Sequence, residues 1–216
     1  MARVRVHSLS MSLDGYVAGP DQSVENPLGQ GGMRLHEWVF KTRFFQEMVG
    51  GDGGEGGLDD DYARQRVDGV GASIMGRNMF GPIRGPWGDE DWRGWWGPNP
   101  PFHHPVFVLT HHPRPPIEME GGTTFHFTDE GIERALERAR DAAGGKDVLI
   151  GGGAATVRQY LQAGLIDEIH LAVAPVLLGS GERLFDDIGV GADDYRCVEH
   201  VSSPEVTHVR LARVTS

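Results

Sequence analysis

The run DVLIGGGAATVRQYLQAGLIDEIHLAVAPVLL, Asp147 to Leu178, constrains the fold more than any other stretch of the chain. An apolar strand candidate, DVLI, leads into AATVRQYLQAG, where Val157, Tyr160 and Leu161 share one helical face, and a second apolar strand follows. A strand, a helix and a strand in that order form a parallel crossover, because two parallel strands cannot be joined by a tight turn. Between the first strand and the helix stand Gly151, Gly152 and Gly153. Glycines there leave backbone amides bare at a helix N-terminus, which suits an anion, although a tight structural turn needs the same residues. GGGAAT has neither the spacing of GxGxxG nor the GK[ST] ending of a phosphate loop.

The other segments supply the rest of an α/β sheet. RVRVHSLSMSLDGYVAG opens with alternating Val4 and Val6 and ends in an Asp14-Gly15 turn signal. From Met33 to Met48, Leu35, Trp38, Val39, Phe45 and Met48 include helical spacings, predicting one helix with a buried face. DDDYARQRVDG places three acids where a helix dipole favours negative charge. VGASIMGRNMFG reads as a strand, a glycine turn and an arginine at the strand's C-terminal edge, and such edges are where open α/β sheets bind ligands. PVFVL and TTFHF are further strands, and TDEGIERALERARDAAGG is an amphipathic helix with Ile132, Ala135, Leu136 and Ala139 in phase. DYRCVEHV and EVTHVRLARV, separated by Ser202, Ser203 and Pro204, predict a C-terminal antiparallel hairpin. The expected fold class is therefore α/β with a mixed sheet.

Two segments interrupt this pattern. GGDGGEGG, Gly50 to Gly57, lacks apolar residues, and glycine loses the most entropy on ordering, so a mobile surface loop is expected. Residues 84–105 are rich in Pro and Gly and carry Trp87, Trp92, Trp95 and Trp96, an aromatic load that argues against disorder. A lid over an apolar or planar substrate and a self-packed cover are both consistent with it.

Composition narrows the function classes. A chain of 216 residues fits a single domain over 1–216 and can bury a core without disulfides. The lone Cys197 excludes a disulfide framework and points to a reducing, cytoplasmic setting. A net charge of −11 opposes phosphate backbones, so no nucleic-acid partner is expected. No stretch approaches the roughly 18 apolar residues of a membrane span, and MARVRVHSLS lacks a signal peptide's apolar core. Neutral imidazoles are metal ligands, but His103-His104 and His111-His112 lie at opposite ends of PVFVL, at about 3.3 Å per residue too far apart for one ion. No metal site is expected.

SLSMSLDGYVAG, ASIMGRNMFG, PVFVLTHHPR and the Asp147–Phe185 region, in this order and spacing, resemble the dihydrofolate reductase-like superfamily, specifically its riboflavin biosynthesis RibD C-terminal reductase branch. The resemblance covers nearly the whole chain. It implies a three-layer α/β/α dihydrofolate reductase-like fold with a mostly parallel mixed sheet and a C-terminal antiparallel hairpin. It also implies NADPH as cofactor, a small-molecule substrate and a homodimer. Carried over, Ser10, Val17 and Ala18 would lie near the nicotinamide and its ribose. Gly76 and Arg77 would meet the pyrophosphate and the adenosine 2′-phosphate, with Thr110 and His111 beside the latter. Gly151, Gly152, Gly153, Ala154, Ala155 and Thr156 would form the diphosphate turn, with Gly151–Gly152 as a cis peptide.

Departures accompany the match. Met79 stands where many relatives carry a hydroxyl residue, and Ser8 and Gly151 occupy neighbourhoods where pyrimidine reductases of riboflavin synthesis carry a lysine and a glutamate. The riboflavin-pathway substrate does not transfer on these residues, and folate does not transfer because the acidic residue of dihydrofolate reductase's first long helix has only Glu37 as a stand-in here. Asp14 and Glu37 are the catalytic candidates as proton donors, with Tyr16 beside them, and Asp14 doubles as a turn-former. A non-catalytic NADPH-binding module is the alternative class.

Overall fold

The computed structural model describes residues 2–81, 84–88, 91–189 and 194–214. In chain order the elements are β1 (Val4–Ser12), β2 (Tyr16–Ala18), α1 (Glu37–Phe40), α2 (Arg43–Met48), α3 (Leu58–Gln65), β3 (Val70–Gly76), α4 (Arg77–Phe80), β4 (Pro105–Leu109), β5 (Ile117–Glu118) and β6 (Thr124–Thr128). The chain continues through α5 (Gly131–Ala143), β7 (Asp147–Gly152), α6 (Ala154–Gln162), β8 (Glu168–Ala174), β9 (Glu182–Arg183), β10 (Tyr195–Ser202) and β11 (Thr207–Arg213).

Among the described residues nine strands make one sheet, in the order β10-β11-β8-β1-β7-β3-β4-β6-β5. The inner strands β8, β1, β7, β3, β4 and β6 run parallel to one another. The expected hairpin of β10 and β11 adds antiparallel on one side, and the short β5 does so on the other. Buried on both faces, the inner strands are near-continuous apolar runs, as parallel strands must be. Val4, Val6, Ala72, Ile74, Val148 and Ile150 are at most 1% exposed.

Helices cover both faces. Leu136 and Ala139 of α5 and Val157, Tyr160 and Leu161 of α6 share a core with β1, β3 and β7, and the Tyr160 hydroxyl donates to the Ile132 carbonyl at 2.8 Å. Trp38 of α1 and Ala63 of α3 pack with Ala172 of β8 and with Val206. The result is three layers.

One expectation needs correcting. The single helix over Met33–Met48 is divided into a 3-10 turn (Gly32–His36), α1 and α2. Thr42 breaks it: its backbone is extended (φ −70°, ψ 150°), and its hydroxyl caps α2 by accepting from the Phe45 amide at 3.2 Å. In the Gly50–Gly57 segment, Glu55 is stitched back to the chain, its amide donating to the Lys41 carbonyl at 2.7 Å and its carbonyl accepting from Arg43 at 2.9 Å. Glycine supplies the turns around this tie, and residues 52–57 are exposed at the surface. The tryptophan-rich segment takes the packed form: Trp87, Trp92, Trp96 and Phe102 lie against Phe80, Val106, Val108, Phe125 and Phe127. No helix among the described residues is long and apolar enough to cross a membrane.

Candidate functional site

The C-terminal ends of β1, β7, β3, β4 and β6 open onto a cleft of about 910 Å³. Parallel strands place their ends, and the turns that leave them, along one edge, so residues far apart in sequence converge there. Ser10, Val17, Ala18, Gly76, Arg77, Thr110, His111 and the whole run Gly151–Thr156 line it. A second hollow of about 760 Å³ between α2, α3 and the end of α5 is lined by His103, His104 and Lys146, and gathers none of these residues.

The glycine turn is built in three distinct ways. Gly152 has φ +125°, a backbone that L side chains rarely adopt, so the turn itself demands glycine there. Gly153 has φ −78°, open to any residue, and a Cβ on it would meet nothing within 4 Å. Its bareness therefore serves the open cleft and not the protein's own packing. Gly76, on the facing strand, would put a Cβ 2.4 Å from the Thr156 hydroxyl, so its lack of a side chain lets α6 close on β3. α6 has no side-chain cap at Gly153, which leaves its first amides available to an anion. The cis peptide lies at Gly152–Gly153, one residue beyond the expected Gly151–Gly152. The reason is that β7 runs on through Gly152, which still pairs with Met75, so the break between strand and helix comes later.

Arg77 stands at the start of α4 with its guanidinium 3.4 Å from the Trp87 ring centre, donating from Nη1 to the Gly81 carbonyl at 3.0 Å. Its Nε is buried without a partner among the described residues. Burial and the neighbouring Arg114 charge pull its pKa down to about 10, so it stays a cation at neutral pH. Thr110 is held by its amide to Thr128 and accepts from the His112 amide at 3.1 Å, which tightens the turn carrying His111. Ser10 accepts from Trp38 Nε1 at 3.0 Å.

The catalytic candidates sit elsewhere. The Asp14 carboxylate accepts from the amides of Leu178 (3.1 Å) and Gly179 (2.7 Å), and with the Ser12 hydroxyl these hold its pKa down to about 2. That is the turn-forming role, away from the cleft wall. Tyr16 reaches the Gly179 carbonyl at 3.3 Å, and Glu37 is exposed at the start of α1. The cleft instead holds His36, Arg66, Trp95 and Trp96, together with Ser8. His36 keeps a buried Nε2 without a hydrogen-bond partner, and desolvation beside Arg66 pushes its pKa down to about 4. At the change from the 3-10 turn to α1, His36 faces the cleft while Glu37, the residue after it, is exposed.

Residues 5–209 match the family model of the RibD C-terminal domain. The chain belongs to the RibD C-terminal domain family. Within a 44-residue stretch this RibD C-terminal domain is 43% identical to the uncharacterized protein YyaP of Bacillus subtilis (strain 168), a match covering 20% of the chain and 23% of that protein. It superposes on a putative riboflavin biosynthesis protein from Shewanella sp. PV-4 with a TM-score of 0.61 at 22% identity, covering 100% of both chains. The dihydrofolate reductase of Enterococcus faecalis, solved with NADP(H), gives a TM-score of 0.54 at 12% identity, over 98% of this chain and 96% of that one. At such identities the likeness is one of fold, and the fold is dihydrofolate reductase-like.

Proposed function

We propose that the protein is an NADPH-dependent reductase that delivers hydride to a small, planar heterocycle. The observation that carries this reading is the convergence of all thirteen expected cofactor positions, from Ser10 to Thr156, on one cleft at the sheet's C-terminal edge. The fit to a phosphorylated cofactor rests on three features: the empty space beside Gly153, the uncapped start of α6, and the unpartnered Nε of Arg77. Gly153 through Thr156 would hold the diphosphate on backbone amides, and Arg77, Thr110 and His111 the 2′-phosphate. When bound, the nicotinamide supplies the hydride. The chain supplies orientation from Ser10, Val17 and Ala18, and apolar walls from Leu9, Trp95 and Trp96 that exclude water. Arg66, His36 and Ser8 line the part of the cleft assigned to substrate, which favours a ring bearing carbonyl or anionic acceptors. Assembly as a homodimer through the outer strand β10 extends the reading, and sedimentation velocity tests it.

The competing reading is a binding module without turnover. It is favoured by the absence of Asp14 and Glu37 from the cleft wall. Titrating tryptophan fluorescence with NADPH and with NADH tests the cofactor claim, since Trp95 and Trp96 line the cleft. Saturable quenching by NADPH at concentrations where NADH has no effect is expected. NADPH oxidation at 340 nm across a panel of pyrimidinones and pteridines then separates enzyme from module. No response to either nucleotide sinks both readings.

A further inference from the structure

In β1, His7 and Ser8 together stand opposite His170 of β8, because the pairing passes from Val6–Ile169 to Leu9–Leu171 with one residue extra on β1. Such a bulge turns peptides out of the ladder. Ser8 sits at φ +52°, a left-handed backbone uncommon outside glycine. The turned peptides are used in two directions. The Ser8 amide donates to His170 Nδ1 at 3.0 Å, while the His7 and Ser8 carbonyls accept from Arg66 Nη1 at 2.9 and 3.4 Å. Among the described residues these two carbonyls are the hydrogen-bond partners of the Arg66 guanidinium.

The amide's donation fixes every proton behind it. Since His170 Nδ1 accepts, its proton is on Nε2, which donates to His208 Nδ1 at 3.1 Å. His208 Nε2 then donates to Asp59 Oδ1 at 2.9 Å, and the other Asp59 oxygen accepts from the Ser203 hydroxyl at 2.9 Å. Both imidazoles are fully buried, and Tyr62 stacks on them at 4.6 and 4.0 Å. Diagonal neighbours on β8 and β11 thus form a one-way chain from a carboxylate at the start of α3 to the cleft wall.

We propose that His170, His208 and Asp59 are positioning residues: by holding the Ser8 amide inward they keep the His7 and Ser8 carbonyls on Arg66, and so fix that guanidinium in the cleft. Calling that end the substrate end rests on the proposed function; the positioning itself does not. A purely structural network would lower stability when cut and leave Arg66 alone.

The test is ¹⁵N NMR of the Ser8 amide, assigned by its loss from the ¹⁵N-serine-labelled spectrum in S8A, and of the Arg66 Nε–H, assigned by its loss in R66K, with thermal midpoints recorded alongside. In His170→Leu the Ser8 amide loses its acceptor, its resonance moves, and the Arg66 signal broadens away. In His170→Asn the side-chain oxygen again accepts from Ser8, so both signals return while the thermal midpoint stays below that of the wild type, because the link to His208 is still cut. An Arg66 signal unchanged in His170→Leu, or lost equally in both variants, overturns the proposal. Should His170→Leu not fold, Asp59→Ala, which removes the acceptor of His208, decides: a shifted Ser8 amide and a broadened Arg66 signal support the chain, and unchanged signals refute it. NADPH quenching run on the same samples is read separately, since its absence from the wild type would undo the cofactor reading without touching this one.

Discussion

Gly76→Ala isolates one close approach on which the cleft depends. The backbone at Gly76 (φ −79°, ψ 159°) is acceptable to alanine, so no conformational strain enters. The cost is steric: the new Cβ would lie 2.4 Å from Thr156 Oγ1, while its next neighbour, Thr156 Cβ, is at an ordinary 3.7 Å. Thr156 is β-branched and 5% exposed, so its hydroxyl cannot simply swing aside. Either the rotamer changes or α6 moves off β3, and overpacking of this kind costs about 1–3 kcal/mol. Thr156→Ala removes the clashing atom, at a cost of its own of about 1 kcal/mol for the lost packing. The double variant should therefore be more stable than the sum of the single changes predicts, by at least about 1 kcal/mol of coupling. Urea denaturation followed by far-UV circular dichroism measures all four proteins. Additivity within about 0.3 kcal/mol, or a Gly76→Ala variant as stable as the wild type, would refute the argument that the absent side chain at 76 is what seats α6.

The remaining predictions concern the turn, the cation and acid. Gly153→Ala adds a Cβ into open cleft and should weaken NADPH binding tenfold or more, with a smaller fall in thermal midpoint than Gly152→Ala, where positive φ adds about 1–3 kcal/mol of strain; equal NADPH affinity in Gly153→Ala and the wild type would show that this edge holds no ligand. Arg77→Ala should lose about 10–100-fold in NADPH affinity with NADH affinity unchanged, the worth of one or more charged hydrogen bonds; equal losses for both nucleotides in parallel fluorescence titrations would place the 2′-phosphate elsewhere. His7 and His170 are buried and neutral, their pKa values pulled to about 2 and about 3 by burial and by the His170 and His208 neighbours respectively. The unfolded chain protonates them below pH 6.5 and the folded chain does not, so stability is full above 6.5 and lost as pH falls toward 3. At pH 5 each should have cost about 2 kcal/mol, and an unchanged urea midpoint between pH 7 and 5 would contradict it.

The parallel core was legible because its signal is local. Val148–Ile150, the helix face of Val157, Tyr160 and Leu161, and Ile169–Ala174 each carry their period in a few residues, and the crossover between them leaves one handedness and one edge for the turns. The residues that the resemblance places at the cofactor share one cleft because turns leaving parallel strands have nowhere else to converge. What sequence could not show were the interruptions. Thr42 reads as an ordinary helix residue until its backbone extends and its hydroxyl caps the next turn, and the earlier change from the 3-10 turn to α1 at His36 likewise goes unmarked, though His36 and not Glu37 lines the cleft. Ser8 reads as an alternating strand residue, because a bulge leaves no mark in a run of serines; only the two-against-one pairing with His170 reveals it. The Ser8 bulge falls on the side of the cleft assigned to substrate, beside His36 and Arg66. Regular parallel strands leave little freedom to vary, and the Ser8 bulge is a place at the cleft where this chain leaves that regular pattern.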